Sequence, residues 1–268
     1  MKIGILYICT GKYTIFWNEF YQSAQQFLLP EDEKYYFVFS DGEINTYNNP
    51  NVTVIYQEKL GWPFDTLYRF KIFLKAEEQL KEMDFLYFFN ANLVVKESIG
   101  REILPLDDED LAVTLHPGFF DKPRELFTYE TRKESTACIT PDKGENYIAG
   151  GLNGGRAESY LTMIRALARN IDTDYKKSII ALWHDESHIN HYILDKKVKI
   201  LSPAYLYPEG WELPFEQKIL ILDKSKLGGH EFLRDETVEQ SKFSKKPVLV
   251  FWFERLKKAL WFSNKGKQ

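Results

Sequence analysis

The chain has only two cysteines, Cys9 and Cys138, far apart and without metal-site spacing, which excludes both a disulfide framework and a cysteine zinc cluster. A reducing cytosol is the expected compartment. No apolar run is long enough to cross a bilayer, and the first ten residues lack the apolar region and small-residue cleavage site of a signal peptide. The chain is expected to start directly with its fold. Nor is there a cationic excess: the net charge is −4, which argues against nucleic-acid partners, because phosphate backbones require clustered Lys and Arg. Internal repeats and low-complexity blocks are absent too.

What remains is an ordinary globular composition. At 268 residues and 44% hydrophobic, the chain can form one large α/β domain or two small ones around a sizeable core. The 16% aromatic content exceeds what a core needs, and flat amphipathic rings are common where sugars or bases stack. Apolar runs predict strands at 2–10, 35–39, 52–56, 111–115, 198–201 and 218–222, with an amphipathic helix to about residue 27, another over 66–83 and a third over 156–170. Strand, helix and strand in that order imply a right-handed crossover and a parallel sheet. The turn after the first strand, Thr10-Gly11-Lys12-Tyr13, is neither a Walker loop nor the three-glycine dinucleotide fingerprint.

The stretch 84–95 reads as a buried strand, apolar on both faces, that stops at Asn90-Ala91-Asn92. Ligands of mostly parallel sheets sit beyond the carboxyl ends of the strands. Two amides there either read a ligand or only shape a turn. Segment 147–155 carries four glycines, which suits either close approach of a ligand to the backbone or tight strand packing. The irregular stretch 121–146 has the character of a binding loop or lid.

Residues 181–191 form the densest polar cluster. His184 and His188, four apart, raise a zinc hydrolase, but Glu186 lies midway between them, unlike the His-Glu-any-any-His signature. The other use of the cluster is acid chemistry by Asp185 and Glu186 behind Trp183. Beyond residue 239 the chain becomes basic and aromatic, which predicts either an interfacial membrane helix or a helix docked on the domain.

Eight ordered motifs then carry a resemblance: YICTGKY, GWPFDTLYRF, FFNANL, TLHPGFF, FTYETR, YIAGGLNGG, WHDESHINHYIL and SPAYLYPEGW. Together they resemble family 6 glycosyltransferases, the family of the histo-blood group A and B transferases and the α-1,3-galactosyltransferases, in its shorter bacterial branch. The resemblance implies a GT-A-type α/β fold over residues 1–238, with a Rossmann-like, mostly parallel central sheet flanked by helices. It also implies retaining hexosyl transfer from UDP-N-acetylgalactosamine or UDP-galactose to the 3-hydroxyl of a galactose that bears an α-1,2-linked fucose. By motif, Ile8, Cys9, Thr10 and Tyr13 would meet the uridine, Asn90, Ala91 and Asn92 the ribose and donor sugar, and Arg69 and Asp185 the donor hydroxyls. Ala149, Gly150 and Gly151 would line the donor pocket. His116, Thr128, Trp183, Glu209 and His230 would line the acceptor site, and Glu186 would lie beneath the anomeric carbon. Lys224, Lys226 and Arg234 would face the diphosphate.

The departures from the vertebrate pattern are as informative. Asn90 and Asn92 stand where vertebrate members carry the two aspartates of a Mn²⁺ site, and neutral amides are poor ligands for a hard dication. No divalent metal or other cofactor is therefore expected. Small residues at 149 and 151 leave room for an acetamido group and favour the N-acetyl donor. The short form implies a cytoplasmic enzyme, peripheral on the inner membrane through the 239–268 tail. UDP-galactose as donor, and a non-catalytic glycan-binding module that would tolerate loss of Glu186, are the alternatives.

Overall fold

The computed structural model describes residues 1–105 and 108–235. The chain divides into two compact units, Met1–Asp223 and a second from Lys224 onward. The tail expected at 239–268, its boundary and its membrane reading lie outside the described residues.

In the first unit β1 (Lys2–Ile8) leads through a 3-10 turn into α1 (Trp17–Phe27), β2 (Glu33–Ser40) and β3 (Val52–Tyr56). The helix expected over 66–83 is broken into α2 (Phe64–Leu67), α3 (Arg69–Phe73) and α4 (Glu77–Leu80). Tyr68 and Ala76, with ψ of 14° and 12°, leave the helical region between them. These two breaks let Leu67, Phe70, Phe73, Ala76 and Leu80 all reach the same core. The strand expected over 84–95 is likewise split, into β4 (Phe85–Phe89) and β5 (Leu93–Val95).

After β6 (Leu111–Leu115) and an irregular stretch come β7 (Ile148–Arg156), α5 (Ala157–Lys176), α6 (Asp185–Tyr192) and β8 (Val198–Leu201). Helix α5 passes its expected end because Ile171 and Asp174 are buried in its last turns, where Asp174 accepts hydrogen bonds from Ser135 and Thr136. Two short strands, β9 (Tyr207–Pro208) and β10 (Ile219–Ile221), close the unit.

Among the described residues the main sheet has seven strands in the order β3-β2-β1-β4-β7-β6-β8, and β5-β10-β9 form a small second sheet. All neighbours in the main sheet pair in parallel except β7, which runs antiparallel to both β4 and β6. Alternate residues of the strands feed two layers. Leu6, Phe37, Phe39, Leu86 and Phe88 pack with Phe70, Phe73 and the α5 residues Tyr160, Ile164 and Leu167. The opposite face sets Tyr7 against Trp17 and Phe20, with the Tyr7 and Phe20 rings stacked at 4.5 Å. Each such ring or aliphatic side chain contributes roughly 1.5–3 kcal/mol on burial. No helix among the described residues is long and apolar enough to cross a membrane.

The described part of the second unit is a 3-10 turn at Lys224–Leu227 followed by α7 (Gly229–Arg234). Gly228 joins them at φ +88°, where a Cβ would strike the Phe232 ring at 2.8 Å, so both conformation and space require glycine.

Candidate active site

Antiparallel β7 brings its first residues to the edge where the parallel strands end, and there its pairing with β6 is interrupted. Val113 pairs with Asn153 but Thr114 pairs with Ala149, so Gly150, Gly151 and Leu152 bulge out of the β6 register. The released backbone groups find other partners. The Gly150 N–H donates to Glu186 Oε2 at 2.8 Å, and its carbonyl accepts from Arg69 Nη1 at 2.7 Å. The Gly151 carbonyl accepts from the Asn90 N–H, and the Leu152 carbonyl from the Thr114 hydroxyl. A Cβ at Gly150 would stand 3.3 Å from both Asp185 Oδ2 and Glu186 Cβ, a tight fit that would make the two carboxylate side chains give way.

Asp185 and Glu186 open α6, where the first-turn backbone N–H groups favour carboxylates. Asp185 is 1% exposed and lies 2.6 Å from Arg69 Nη1. Nη1 carries two hydrogens: one goes to the Gly150 carbonyl, and the contact with Asp185 is an ion pair in which Oδ2 accepts no well-directed hydrogen bond. Arg69 also lies over the Phe88 ring at 4.0 Å. Burial pushes the Asp185 carboxyl up to about 7, with Arg69 opposing and Glu186 adding to the rise. Burial raises Glu186 to about 7 as well, against the Gly150 N–H and the Tyr147 hydroxyl, which favour its charged form.

The wall beside Glu186 is aromatic. The Tyr147 hydroxyl donates to Glu186 Oε1 at 3.1 Å, the Thr128 hydroxyl donates to Tyr147 at 3.0 Å, and Trp183 Nε1 donates to Thr128 at 2.8 Å. Thr128 is buried, so it stands behind the wall. His116 packs on Phe119 and Tyr147, and its Nδ1 accepts from the Gly118 N–H. Burial lowers that imidazole to about 4 and keeps it neutral.

The amide pair lies across the site edge. Asn90 Nδ2 donates to Asn92 Oδ1 at 3.2 Å, and Asn92 Nδ2 donates to the Leu222 carbonyl at 2.8 Å. Ala91 contributes its carbonyl to the Tyr7 hydroxyl. At the end of β1, Ile8 is half-buried and Cys9 fully buried, its thiol pushed up to about 12 by burial. The Thr10 carbonyl accepts from the Tyr13 N–H, which starts the turn that presents Tyr13. Ala149 is buried, and a Cβ on Gly151 would touch Leu206 and Asn90 at ordinary contact distances. Glu209 accepts from the Asp223 N–H at 2.8 Å. Lys224, Lys226, His230 and Arg234 belong to the second unit.

The structure thus assembles Arg69, Asn90, Gly150, Gly151, Asp185 and Glu186 around one point, with Trp183 and Thr128 bonded into the adjoining wall. Sequence reasoning missed Tyr147, whose position just ahead of the glycine-rich strand was its available signal. The zinc-hydrolase arrangement is corrected: His184 precedes α6 at φ +54° with its ring on Trp62, while His188 is buried beside Asp174, so the two share no helical face. Among the described residues no group of His, Cys, Asp and Glu is arranged to hold a metal ion.

A mostly parallel α/β sheet with buried carboxylates, a guanidinium and a glycine bulge at its carboxyl edge fits a GT-A-like fold. The family model for glycosyltransferase family 6 matches residues 1–234. The chain is 36% identical to the O-antigen biosynthesis glycosyltransferase WbnI of Escherichia coli, over 84% of this chain and 96% of that protein. It is 32% identical to the mouse globoside alpha-1,3-N-acetylgalactosaminyltransferase 1 and 32% identical to the rat histo-blood group ABO system transferase 1. Those alignments take in 82% and 78% of this chain but 65% and 62% of the mammalian proteins. The chain belongs to glycosyltransferase family 6, and it is a glycosyltransferase that takes a nucleotide-sugar donor and a glycan acceptor.

Proposed function

We propose that this enzyme is a retaining α-1,3-N-acetylgalactosaminyltransferase that moves N-acetylgalactosamine from UDP to the 3-hydroxyl of a fucosylated galactose without a divalent metal. The carrying observation is Glu186, held on the bulge by Gly150 and Tyr147 beside the buried Arg69–Asp185 pair. A carboxylate so fixed stabilises positive charge at an anomeric carbon, whether by attacking it or by facing it. Asp185 Oδ2, with acceptor capacity to spare, takes a donor-sugar hydroxyl. As the C1–O bond to UDP breaks, the acceptor oxygen bonds C1, and its proton ends on the released UDP.

Two neutral amides occupied with each other and with Leu222 are a poor fit to Mn²⁺, which supports the metal-free reading. Small residues at 149 and 151, and the relatives named for N-acetylgalactosamine transfer, favour the N-acetyl donor. The O-antigen relative favours a surface polysaccharide as the natural acceptor.

The test is UDP release from UDP-N-acetylgalactosamine and from UDP-galactose, with 2′-fucosyllactose or lactose, each in Mn²⁺ and in EDTA. Release from the N-acetyl donor that requires the fucosylated acceptor and survives EDTA supports the reading. Strict Mn²⁺ dependence overturns its metal-free part.

A further inference from the structure

The Tyr147 hydroxyl enters the mechanism above only as a contact that holds Glu186, and its own surroundings assign it more. Tyr147 is 2% exposed, and four rings fix its own: Phe119 at 4.6 Å, Tyr129 stacked at 5.3 Å, and His116 and Phe127 at 5.7 and 5.8 Å. Its hydroxyl has a single proton. The Thr128 carbonyl at 3.5 Å and Glu186 Oε1 at 3.1 Å compete for it, and the shorter contact takes it.

The direction of the bonds around it is set from outside. Trp183 Nε1–H is only a donor, so Thr128 Oγ1 accepts from it, and the Thr128 hydroxyl proton is then free to point at Tyr147. Indole, threonine and tyrosine thus form a line of donors running one way and ending on the carboxylate. Donors aligned in series polarise one another, and each stabilises negative charge at the end of the line.

We propose that Tyr147 is a positioning residue of the transfer reaction, whose hydroxyl, oriented by Thr128 and Trp183, keeps Glu186 ionised and aimed at the anomeric carbon. This rests on the reading of Glu186 as the catalytic carboxylate. Other groups face Glu186 as well: Arg69 from α3, which favours its charge, and its neighbour Asp185, which does not; the Gly150 N–H comes from β7, and Tyr129 packs behind Tyr147. None of them replaces the Tyr147 hydroxyl at Oε1.

The test uses the full chain with Tyr147→Phe, which removes one buried oxygen and leaves the ring in its aromatic cage. Transfer is measured against pH, with kcat and KM determined separately. The expected result is an acid limb moved upward by about one pH unit, so that kcat falls about tenfold near pH 6 and recovers above about pH 8. Donor KM is expected to stay within about twofold. Thr128→Val moves the limb the same way by less. A limb that stays in place, or a kcat lowered equally at every pH, overturns the proposal. A carboxyl NMR titration on isotopically labelled glutamate, assigned by difference from Glu186→Gln, reads the same shift without turnover. There, an unchanged or lowered midpoint in Tyr147→Phe overturns it too. Glu186→Gln retaining full transfer would instead sink the catalytic reading beneath it.

Discussion

Asn92 and Leu222 are bound to each other twice: the Leu222 N–H donates to the Asn92 carbonyl at 2.9 Å, and Asn92 Nδ2 donates to the Leu222 carbonyl at 2.8 Å. The second bond needs an amide. In Asn92→Asp a carboxylate oxygen would face a carbonyl oxygen at that distance, a repulsion worth about 1–3 kcal/mol in a buried setting. The melting temperature is expected to fall by a few degrees in EDTA, and Mn²⁺ is expected not to restore it. A variant that Mn²⁺ raises above the parent protein would mean that position 92 is a metal ligand lacking only its charge.

Glu186→Gln is expected to abolish transfer and yet to stabilise the protein in mildly alkaline solution. Folding raises the carboxyl from its ordinary 4.5 to about 7, so within that window the native state holds a proton that the unfolded chain has lost. Stability therefore falls as pH rises through the window, and above it the parent carries the whole cost of the ionised, buried group. Glutamine carries none of it while still accepting from Gly150. Denaturant unfolding at about pH 8 should show a gain of about 1–3 kcal/mol, shrinking toward zero near pH 4.

Removing Arg69 leaves Asp185 buried without its cation. Arg69→Met keeps the packing over Phe88 and is expected to cost about 1–3 kcal/mol through charge in mildly alkaline solution, where Asp185 of the parent is ionised beside its cation. The loss should shrink as the solution is acidified, because Asp185, already raised to about 7 by burial, becomes neutral. Urea midpoints at two pH values check this. Equal losses at both would place the effect in packing rather than charge.

The two glycines of the bulge should respond differently to one methyl. At Gly150 it presses between Asp185 and Glu186, and transfer is expected to fall at least a hundredfold with roughly 1–3 kcal/mol of destabilisation. At Gly151 it meets only Leu206 and Asn90 in ordinary contact. Gly151→Ala should fold normally and move donor preference toward UDP-galactose by about 10- to 200-fold in kcat/KM ratio. Competition between the two donors measures it.

Much of the frame was legible in the chain. Strands 52–56, 111–115 and 198–201 were readable to the residue, since each is a short apolar run between turn formers. The broken helix over 66–83 was not, because Tyr68 and Ala76 carry no local signal and their conformations answer to the core. The division of 84–95 depends on a partner more than fifty residues away, the Gly151 carbonyl that takes the Asn90 N–H. In the site, ordered motifs located Arg69, Asp185 and Glu186, but Tyr147 is one ring in an aromatic neighbourhood and reads as core. Only geometry shows where its hydroxyl goes. Of the four glycines of 147–155, Gly154 and Gly155 serve the tight strand packing weighed for them, lying against the backbone of Leu86 and Asp110, while Gly150 leaves room for Asp185 and Glu186.

Because β7 runs against its neighbours, the ledge on which the donor sugar would rest is the bulged start of a strand, pinned by the Asn90 N–H, Arg69 and Glu186 rather than by a full ladder on both sides. Such a ledge has little freedom to flex around a larger or smaller sugar. Selectivity then becomes a matter of which atoms protrude from a fixed template. A new preference can arise by exchanging single side chains there, with the rest of the framework left undisturbed.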